Sequence, residues 1–299
     1  MELYEYARPD IMAGKTILYL HGFASSGQNG TVRAMTTLLP ETRIIAPDIP
    51  VEPQEALTFL NDLCAKENPD LIIGASMGGM YAELLRGFDR ILFNPAFFLA
   101  DTLQKNNGLG RQEFHNPRRD GQTSFLVTKG LLESFREASS HCFENMPDNA
   151  SDPSSFGEMT DERDHVYGMF GTHDNFVTGT FDVFRKYYAN AIHFEGEHYM
   201  DDSVLLHSVL PVIERIDDKQ EKRSKPVMFI ALTDVLLDLR NGVSRGKSIE
   251  EMEPYGSAVK AFAALTRNYS PYVLITNDFN EPERIPALTR WVEKRIGVP

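Results

Sequence analysis

The sequence predicts an α/β fold, in which a doubly wound, mostly parallel sheet is followed by a small C-terminal α/β unit. Short apolar runs with the branched residues of buried strands alternate with helical segments along the first 216 residues. Several of these runs end in polar loops that contain glycine, which is typical of the carboxyl edge of a parallel sheet. A second, shorter alternation follows a charge-rich stretch. We therefore predict a domain over 1–216, a linker over 217–225 and a second domain over 226–299.

The individual elements of the first domain follow from hydrophobic periodicity. Apolar runs of strand length predict core strands at residues 15–20, 42–46, 71–73, 90–93, 166–170 and 191–194. Apolar residues three and four positions apart predict helices at residues 31–39, 52–66, 80–85, 179–189 and 203–216. In the second of these helices, Ala56, Phe59, Leu60 and Leu63 are predicted to share the buried face.

The segment 97–164 interrupts this alternation. It is rich in polar residues and glycine, and it contains one predicted helix at 124–138 and a loop-like stretch at 145–164. A long insertion at the carboxyl edge of a catalytic sheet is often a lid or a wall of the substrate site. The alternative is a surface excursion with no part in any site.

One stretch organises the first domain. The strand at 71–73 stops at Gly74, and the pattern Gly74-x-Ser76-x-Gly78 lies between this strand and a helix. That arrangement is typical of a nucleophile elbow, which holds its serine at the apex of a strained turn. The flanking glycines lack a Cβ atom, so neighbouring backbone can pass close to the turn. The sequence therefore predicts Ser76 as a nucleophile.

The loop that follows the first strand is predicted to lie beside Ser76. This loop, His21-Gly22-Phe23, would sit at the carboxyl edge of the sheet, where open α/β sheets bind ligands. We assign the backbone N–H groups of Phe23 and Met77 as a pair of oxyanion donors, which would share the charge on a carbonyl oxygen under attack. Gly22 supports the loop, and His21 is predicted to brace it rather than to react.

A serine hydroxyl needs a base to take its proton, and the base needs a carboxylate to orient it. Hydrolases with this elbow place the three groups in the chain order Ser, Asp, His. Asp174 and His198 fit that order, and each follows a predicted core strand. The rival histidines are weaker candidates, since His173 would point away from its neighbouring acid and His193 lies within a strand. We predict a triad of Ser76, His198 and Asp174.

Composition argues against several classes of function. The net charge is −13, whereas binding to a nucleic-acid backbone needs a basic face. No apolar run approaches the roughly 20 residues that cross a bilayer, and the acidic N-terminus lacks the features of a secretory signal. Cys64 and Cys142 have neither metal-ligand nor redox spacing. We expect a cytoplasmic protein with no metal or other cofactor and no membrane or nucleic-acid partner.

These motifs together resemble the α/β-hydrolase superfamily and, more narrowly, the small bacterial esterases of the YqiA type. The matching pieces lie at residues 18–23, 74–82, 94–96, 171–174 and 197–198. The resemblance implies hydrolysis of small-molecule acyl esters or thioesters through an acyl-serine, with no cofactor. The segment 97–164 is longer than such compact esterases need. A non-catalytic homologue that keeps the pocket is the alternative.

The C-terminal segment resembles the haloacid-dehalogenase phosphatase superfamily at its opening strand, with a second matching motif at 275–277. The two positions that carry catalytic aspartates in that family hold Ala231 and Thr233. The resemblance therefore implies a shortened, inactive relative, and phosphatase activity of this unit is a further alternative. Residues 242–248 imitate a phosphate-binding loop, but their spacing is one residue short, and we interpret them as a surface turn.

Overall fold

The computed structural model describes residues 2–106, 108–146, 160–233, 235–239, 242, 246–265, 268–274 and 284–295. The chain divides into two compact units. The N-terminal unit comprises residues 1–192 and 196–206, and the C-terminal unit comprises residues 193–195 and 207–299. Each unit has its own cluster of buried apolar side chains. The predicted boundaries at 216 and 225 remain predictions.

Six strands form one sheet in the order β2-β1-β3-β4-β7-β8. Their bounds are β1 Thr16–Leu20, β2 Arg43–Ile45, β3 Leu71–Ala75, β4 Arg90–Phe93, β7 Val166–Gly171 and β8 Asn190–Phe194. The pairs β1 with β2, β1 with β3, β3 with β4 and β4 with β7 are all parallel. Residues 71–74 of β3 and all of β4 are buried, as expected of central strands covered on both faces. The predicted fold class is confirmed.

Four helices connect these strands: α1 Gly30–Leu38, α2 Pro53–Glu67, α3 Met77–Leu84 and α7 Thr180–Tyr187. Asn29 caps α1, because its side chain accepts a hydrogen bond from the Val32 N–H. The buried face of α2 is formed by Ala56, Leu60 and Cys64. Phe59 is 37% exposed, which corrects its predicted place on that face.

The insertion contains more regular structure than the sequence predicts. It holds α4 Leu99–Lys105, an antiparallel pair of β5 Gly110–Glu113 and β6 Ser124–Val127, α5 Lys129–Ser140 and α6 Thr160–Asp164. The single helix predicted at 124–138 is wrong at its start. Thr128 is extended, so it ends β6, and its side chain then caps α5 by accepting from the Leu131 N–H. Within the predicted loop at 145–164, residues 160–164 are helical and 147–159 lie outside the described residues.

The predicted helix at 203–216 is longer and irregular. It consists of α8 Asp202–Val204, a π-helical turn at Leu205–Val209 and α9 Leu210–Gln220. Pro211 lacks the N–H that would bond one turn back, which loosens the preceding turn. The predicted linker is therefore helical through Gln220. Its charges pair locally, since Arg223 binds Asp217 and Asp218, and Lys225 binds Glu214 at 3.1 Å.

The C-terminal unit contains the predicted strand-helix-strand-helix order. β9 Val227–Ala231 pairs in parallel with β10 Ser270–Leu274, and α10 Ala258–Leu265 and α11 Ile285–Arg295 complete it. Trp291 is buried in its core and donates its Nε1–H to the Met252 carbonyl at 2.8 Å. The predicted second motif at 275–277 lies outside the described residues. Among the helices described in either unit, none has the length and apolarity of a bilayer-spanning segment.

Candidate active site

The carboxyl ends of β1 and β3 meet where the order of the sheet reverses. From β1 the chain continues to β2 on one side, whereas β3 lies on the other side. Such a switch point leaves a crevice at the carboxyl edge of the sheet. The loop at 21–23 follows β1 and Ser76 follows β3, so both predicted parts of the site lie at this crevice.

Ser76 has the strained backbone that an elbow requires. Its φ is +54° and its ψ is −113°, a conformation that residues with a side chain rarely adopt. Two backbone hydrogen bonds hold the turn. The Ser76 N–H donates to the Phe93 carbonyl, and the Ser76 carbonyl accepts from the Ala96 N–H. These bonds hold the strain in place and present the hydroxyl at the edge of the sheet.

The two elbow glycines allow backbone contacts that no side chain would permit. A Cβ atom on Gly78 would lie 2.0 Å from the Leu20 carbonyl oxygen, and one on Gly74 would lie 2.2 Å from the Gly78 carbonyl oxygen. Both distances are far below van der Waals contact. The start of α3 therefore touches the end of β1 directly, which brings the loop after β1 next to Ser76.

The structure brings the three predicted triad side chains together. His198 Nε2 lies 3.1 Å from Ser76 Oγ, and His198 Nδ1 lies 2.8 Å from Asp174 Oδ2. A carboxylate can only accept, so Nδ1 carries the proton and Nε2 is free to accept the hydroxyl proton of Ser76. The side chains of His198 and Asp174 are 11% and 5% exposed, which shields the pair from water.

The second carboxylate oxygen of Asp174 is also hydrogen-bonded, which fixes the orientation of the side chain. Asp174 Oδ1 accepts hydrogen bonds from the backbone N–H groups of Phe176 at 2.8 Å and Val177 at 3.1 Å. The neighbouring His173, a rival candidate in the sequence, is exposed. Of these two adjacent side chains, Asp174 is the one that contacts His198.

The loop that contains Phe23 and the helix that starts at Met77 both adjoin Ser76, and the role of their N–H groups as oxyanion donors stays a prediction. A Cβ atom built on Gly22 would lie 3.4 Å from Ser76 Cβ, so the loop contacts Ser76. Met77 is the first residue of α3, where N–H groups have no partner within the helix. In the part of the chain that the structure describes, neither N–H donates to a protein acceptor. Both donors are available to an incoming oxygen.

His21 braces this loop in a fixed neutral form. Its Nε2 accepts from the Ile49 N–H at 3.0 Å, so its Nδ1 carries the proton and donates to the Gly22 carbonyl at 2.8 Å. Burial lowers the pKa of His21 to about 4. The imidazole is therefore neutral near pH 7 and occupied at both nitrogens, which leaves it no free atom for a reaction.

Asn94 joins the loops that carry the base and the acid, a role that the sequence analysis missed. Its side-chain oxygen accepts from the Gly171 N–H at 2.7 Å, and its Nδ2 donates to the carbonyls of Glu197 and His198 at 2.9 and 3.2 Å. It is buried, with φ at +40°, which asparagine tolerates better than most residues. Its position directly after a central strand is the signal that could have found it.

Aromatic side chains of the insertion form an apolar wall against the loop at 21–23. Phe125 and Phe135 pack edge-on against Phe23, at ring-centroid distances of 5.2 and 6.1 Å. Arg118 donates to the Ile49 carbonyl and stacks on Phe114 at 4.5 Å. An apolar cavity lies between this wall, Phe23 and Met77, and its free volume of about 10 Å³ is the room for one water molecule.

The described residues contain no group of three His, Cys, Asp or Glu side chains placed to hold a metal ion. Two other histidines have acidic partners of their own. His165 pairs with Asp89, and His141 pairs with Glu144 on the surface. The groups that the candidate site brings together are the hydroxyl of Ser76, the imidazole of His198 and the carboxylate of Asp174.

The sequence model of UPF0227, described as an uncharacterised protein family, matches residues 16–202. That range contains all six strands of the sheet, from Thr16 to Phe194. It also contains Ser76, Asp174 and His198.

Several solved structures are similar at low identity. Est1E from Butyrivibrio proteoclasticus, solved with ferulic acid bound, is 14% identical and has a TM-score of 0.43, with 72% of this chain and 92% of that chain covered. An α/β hydrolase from Novosphingobium aromaticivorans is 13% identical and has a TM-score of 0.39, with 67% of this chain and 90% of that chain covered. Likeness at this level says nothing about what this chain acts on.

A curated relative matches a smaller part of the chain. The "Putative 5'(3')-deoxyribonucleotidase" of Vibrio phage KVP40 is 25% identical over 108 residues, which is 31% of this chain. This chain covers 64% of the length of that phage protein, so the match does not extend over either whole protein.

Replacing Gly78 with alanine should destabilise the fold by about 3 kcal/mol, because the new Cβ would collide with the Leu20 carbonyl oxygen. The control is Gly130→Ala in α5, where the nearest heavy atom to a Cβ is Thr128 Oγ1 at 3.6 Å. That change should be neutral or stabilise the fold slightly. Urea unfolding of the three proteins measures both effects, and equal midpoints for Gly78→Ala and the parent would refute the close approach.

Acid should weaken the fold through His21. Its folded pKa of about 4 lies below the ordinary value of 6.5, so only the unfolded chain binds this proton between those pH values. Its stabilising contribution is complete above pH 6.5 and is lost as the pH falls through 4, by about 3 kcal/mol.

The measurement is the free energy of unfolding between pH 8 and 4 for the parent and for His21→Gln. We expect a flatter dependence in the variant, because glutamine does not titrate. His141→Gln, a change at an exposed histidine, is the control. Parallel pH curves for the parent and His21→Gln would contradict the assignment.

Proposed function

This chain belongs to the uncharacterised protein family UPF0227, and we propose that it is a serine hydrolase that cleaves small-molecule carboxylic esters or thioesters. The observation that carries the proposal is the continuous line of hydrogen bonds from Ser76 Oγ through His198 to Asp174. A nucleophile, a base and an orienting acid in that geometry are the groups that acyl transfer needs.

In the first step, Ser76 Oγ attacks the carbonyl carbon of the substrate, and His198 Nε2 takes the hydroxyl proton. The distance of 3.1 Å between these atoms lies within the reach of a general base. Asp174 stays ionised and stabilises the imidazolium that forms, since its Oδ2 accepts from Nδ1–H. The half-buried position of the pair strengthens this interaction.

The carbonyl oxygen gains a negative charge as the tetrahedral intermediate forms. The N–H groups of Phe23 and Met77 would donate to this oxygen, and the positive end of α3 adds to their effect. Because His21 and the elbow glycines hold both N–H groups in place beforehand, little reorganisation is needed at the moment of reaction.

The intermediate collapses when His198 returns the proton to the leaving oxygen or sulfur. An alcohol or thiol departs, and the acyl group remains on Ser76. A water molecule then attacks the acyl carbon while His198 takes one of its protons, and the carboxylic acid departs as the proton returns to Ser76. Besides the substrate and this water molecule, the steps use the side chains of Ser76, His198 and Asp174 and two backbone N–H groups.

Phosphatase activity of the C-terminal unit is the less favoured alternative. The positions that would carry the nucleophile and its partner hold Ala231 and Thr233, and neither side chain is a carboxylate. The partial likeness to the phage protein named above does not supply those groups. A non-catalytic homologue is also less favoured. A protein without catalytic activity would have no use for the strained φ of Ser76, which costs stability.

Replacing Ser76 with alanine should lower the turnover of a short p-nitrophenyl ester by at least about 1,000-fold, because the nucleophile is lost. The melting temperature should stay close to that of the parent, since the Ser76 side chain is not part of the core. Ser140→Ala, a change at an exposed serine at the end of α5, is the matched control and should keep full turnover.

A fluorophosphonate probe distinguishes the proposal from the non-catalytic alternative. The parent protein and Ser140→Ala should both label, with the modified residue identified as Ser76 by mass spectrometry, and Ser76→Ala should not. A folded parent protein that neither labels nor hydrolyses any ester of a graded acyl series would exclude the hydrolase.

A further inference from the structure

Two exposed aromatic rings flank the imidazole of His198. The ring centroid of Phe176 lies 5.1 Å from that of His198, and the ring centroid of Tyr199 lies 5.4 Å from it. The two aromatic rings also contact each other edge-on at 6.1 Å. Phe176 is 52% exposed and Tyr199 is 68% exposed. Large apolar surface next to a reactive group favours the binding of something apolar.

The backbone of both residues is fixed by the site itself. The Phe176 N–H donates to Asp174 Oδ1 at 2.8 Å, and Tyr199 directly follows His198. The next residue, Met200, is buried, and its carbonyl accepts from Thr31 Oγ1 at 3.2 Å. The two rings therefore project from anchored loops, and their exposure does not reflect a loosely attached segment.

The proposed reaction decides which part of a substrate meets these rings. His198 Nε2 faces Ser76 Oγ and must deliver its proton to the departing oxygen or sulfur, so the leaving group lies against the imidazole. The acyl group lies on the opposite side, where Phe23 and Met77 bind the carbonyl oxygen and the insertion forms the wall. Rings that border His198 therefore contact the leaving group.

We propose that Phe176 and Tyr199 form a subsite for the leaving group of the substrate, and that this group is an uncharged alcohol or thiol that carries an aromatic ring. The inference rests on the proposed function. Offset and edge-on contacts with both rings would hold a planar group next to Nε2. The loop at 196–202 contains Glu197, Asp201 and Asp202 and neither lysine nor arginine, which disfavours an anionic leaving group.

The test compares three acetate esters that differ only in the leaving group: benzyl, ethyl and 4-carboxybenzyl acetate. The parent should prefer benzyl over ethyl acetate in kcat/KM, and it should prefer benzyl over 4-carboxybenzyl acetate. Phe176→Ala and Tyr199→Ala should each lower the benzyl-to-ethyl ratio by about five-fold, through KM more than through kcat, because ring contacts are lost. Phe59→Ala, a change at an exposed ring on α2, should leave that ratio as in the parent.

Binding is measured separately on the inactive protein. In Ser76→Ala, ligand-observed NMR should give a dissociation constant for benzyl acetate that rises about five-fold when Phe176→Ala is added. An unchanged benzyl-to-ethyl ratio in both aromatic variants, or a parent preference for the carboxybenzyl ester, would overturn the subsite. Either result would leave the labelling of Ser76 intact, so the failure of the subsite and the failure of the hydrolase proposal are distinguishable.

Discussion

The direct contact between the start of α3 and the end of β1 is the constraint on which the site depends. It exists only because position 78 has no Cβ atom, since one would lie 2.0 Å from the Leu20 carbonyl oxygen. That contact sets the nucleophile turn beside the loop at 21–23, and with it the positions of both backbone donors. Ser76 keeps its unfavourable φ because β4 and the loop after it hold the turn at two hydrogen bonds. The strain is local, and the surrounding sheet supports it.

The other half of the site depends on Asn94 in a comparable way. The loops after β7 and β8 carry the acid and the base, and loops of this kind are mobile unless something joins them. The side-chain oxygen of Asn94 accepts from the Gly171 N–H, and its side-chain nitrogen donates to the carbonyls of Glu197 and His198. It follows β4, the strand next to the elbow strand. A single buried amide therefore transmits the position of the elbow to both partners of the serine.

How much of this the sequence could predict depends on whether the signal is local. The strands around Ser76 and the glycine spacing are local patterns, so the sheet and the place of Ser76 could be derived from them. The structure of the insertion could not be derived in this way, since residues 125–127 carry apolar side chains that suit either a strand or the start of a helix. Only the cap at Thr128 separates the two. The predicted burial of Phe59 was wrong for a similar reason, because periodicity does not show where a neighbouring element ends. The bridging role of Asn94 could not be predicted, because its partners are 77 to 104 residues away.

The two sides of the site have opposite character, and this has a consequence for specificity in the proposed reaction. On the side of the oxyanion donors, aromatic side chains of the insertion close against Phe23 and leave about 10 Å³ free. On the side of the base, two rings are already exposed and anchored. In the proposed reaction, a leaving group that binds there displaces water from exposed rings, whereas an acyl group would meet the aromatic side chains of the insertion. The insertion, which departs most from compact esterases, would then select the acyl chain, and the short loops after β7 and β8 would select the alcohol.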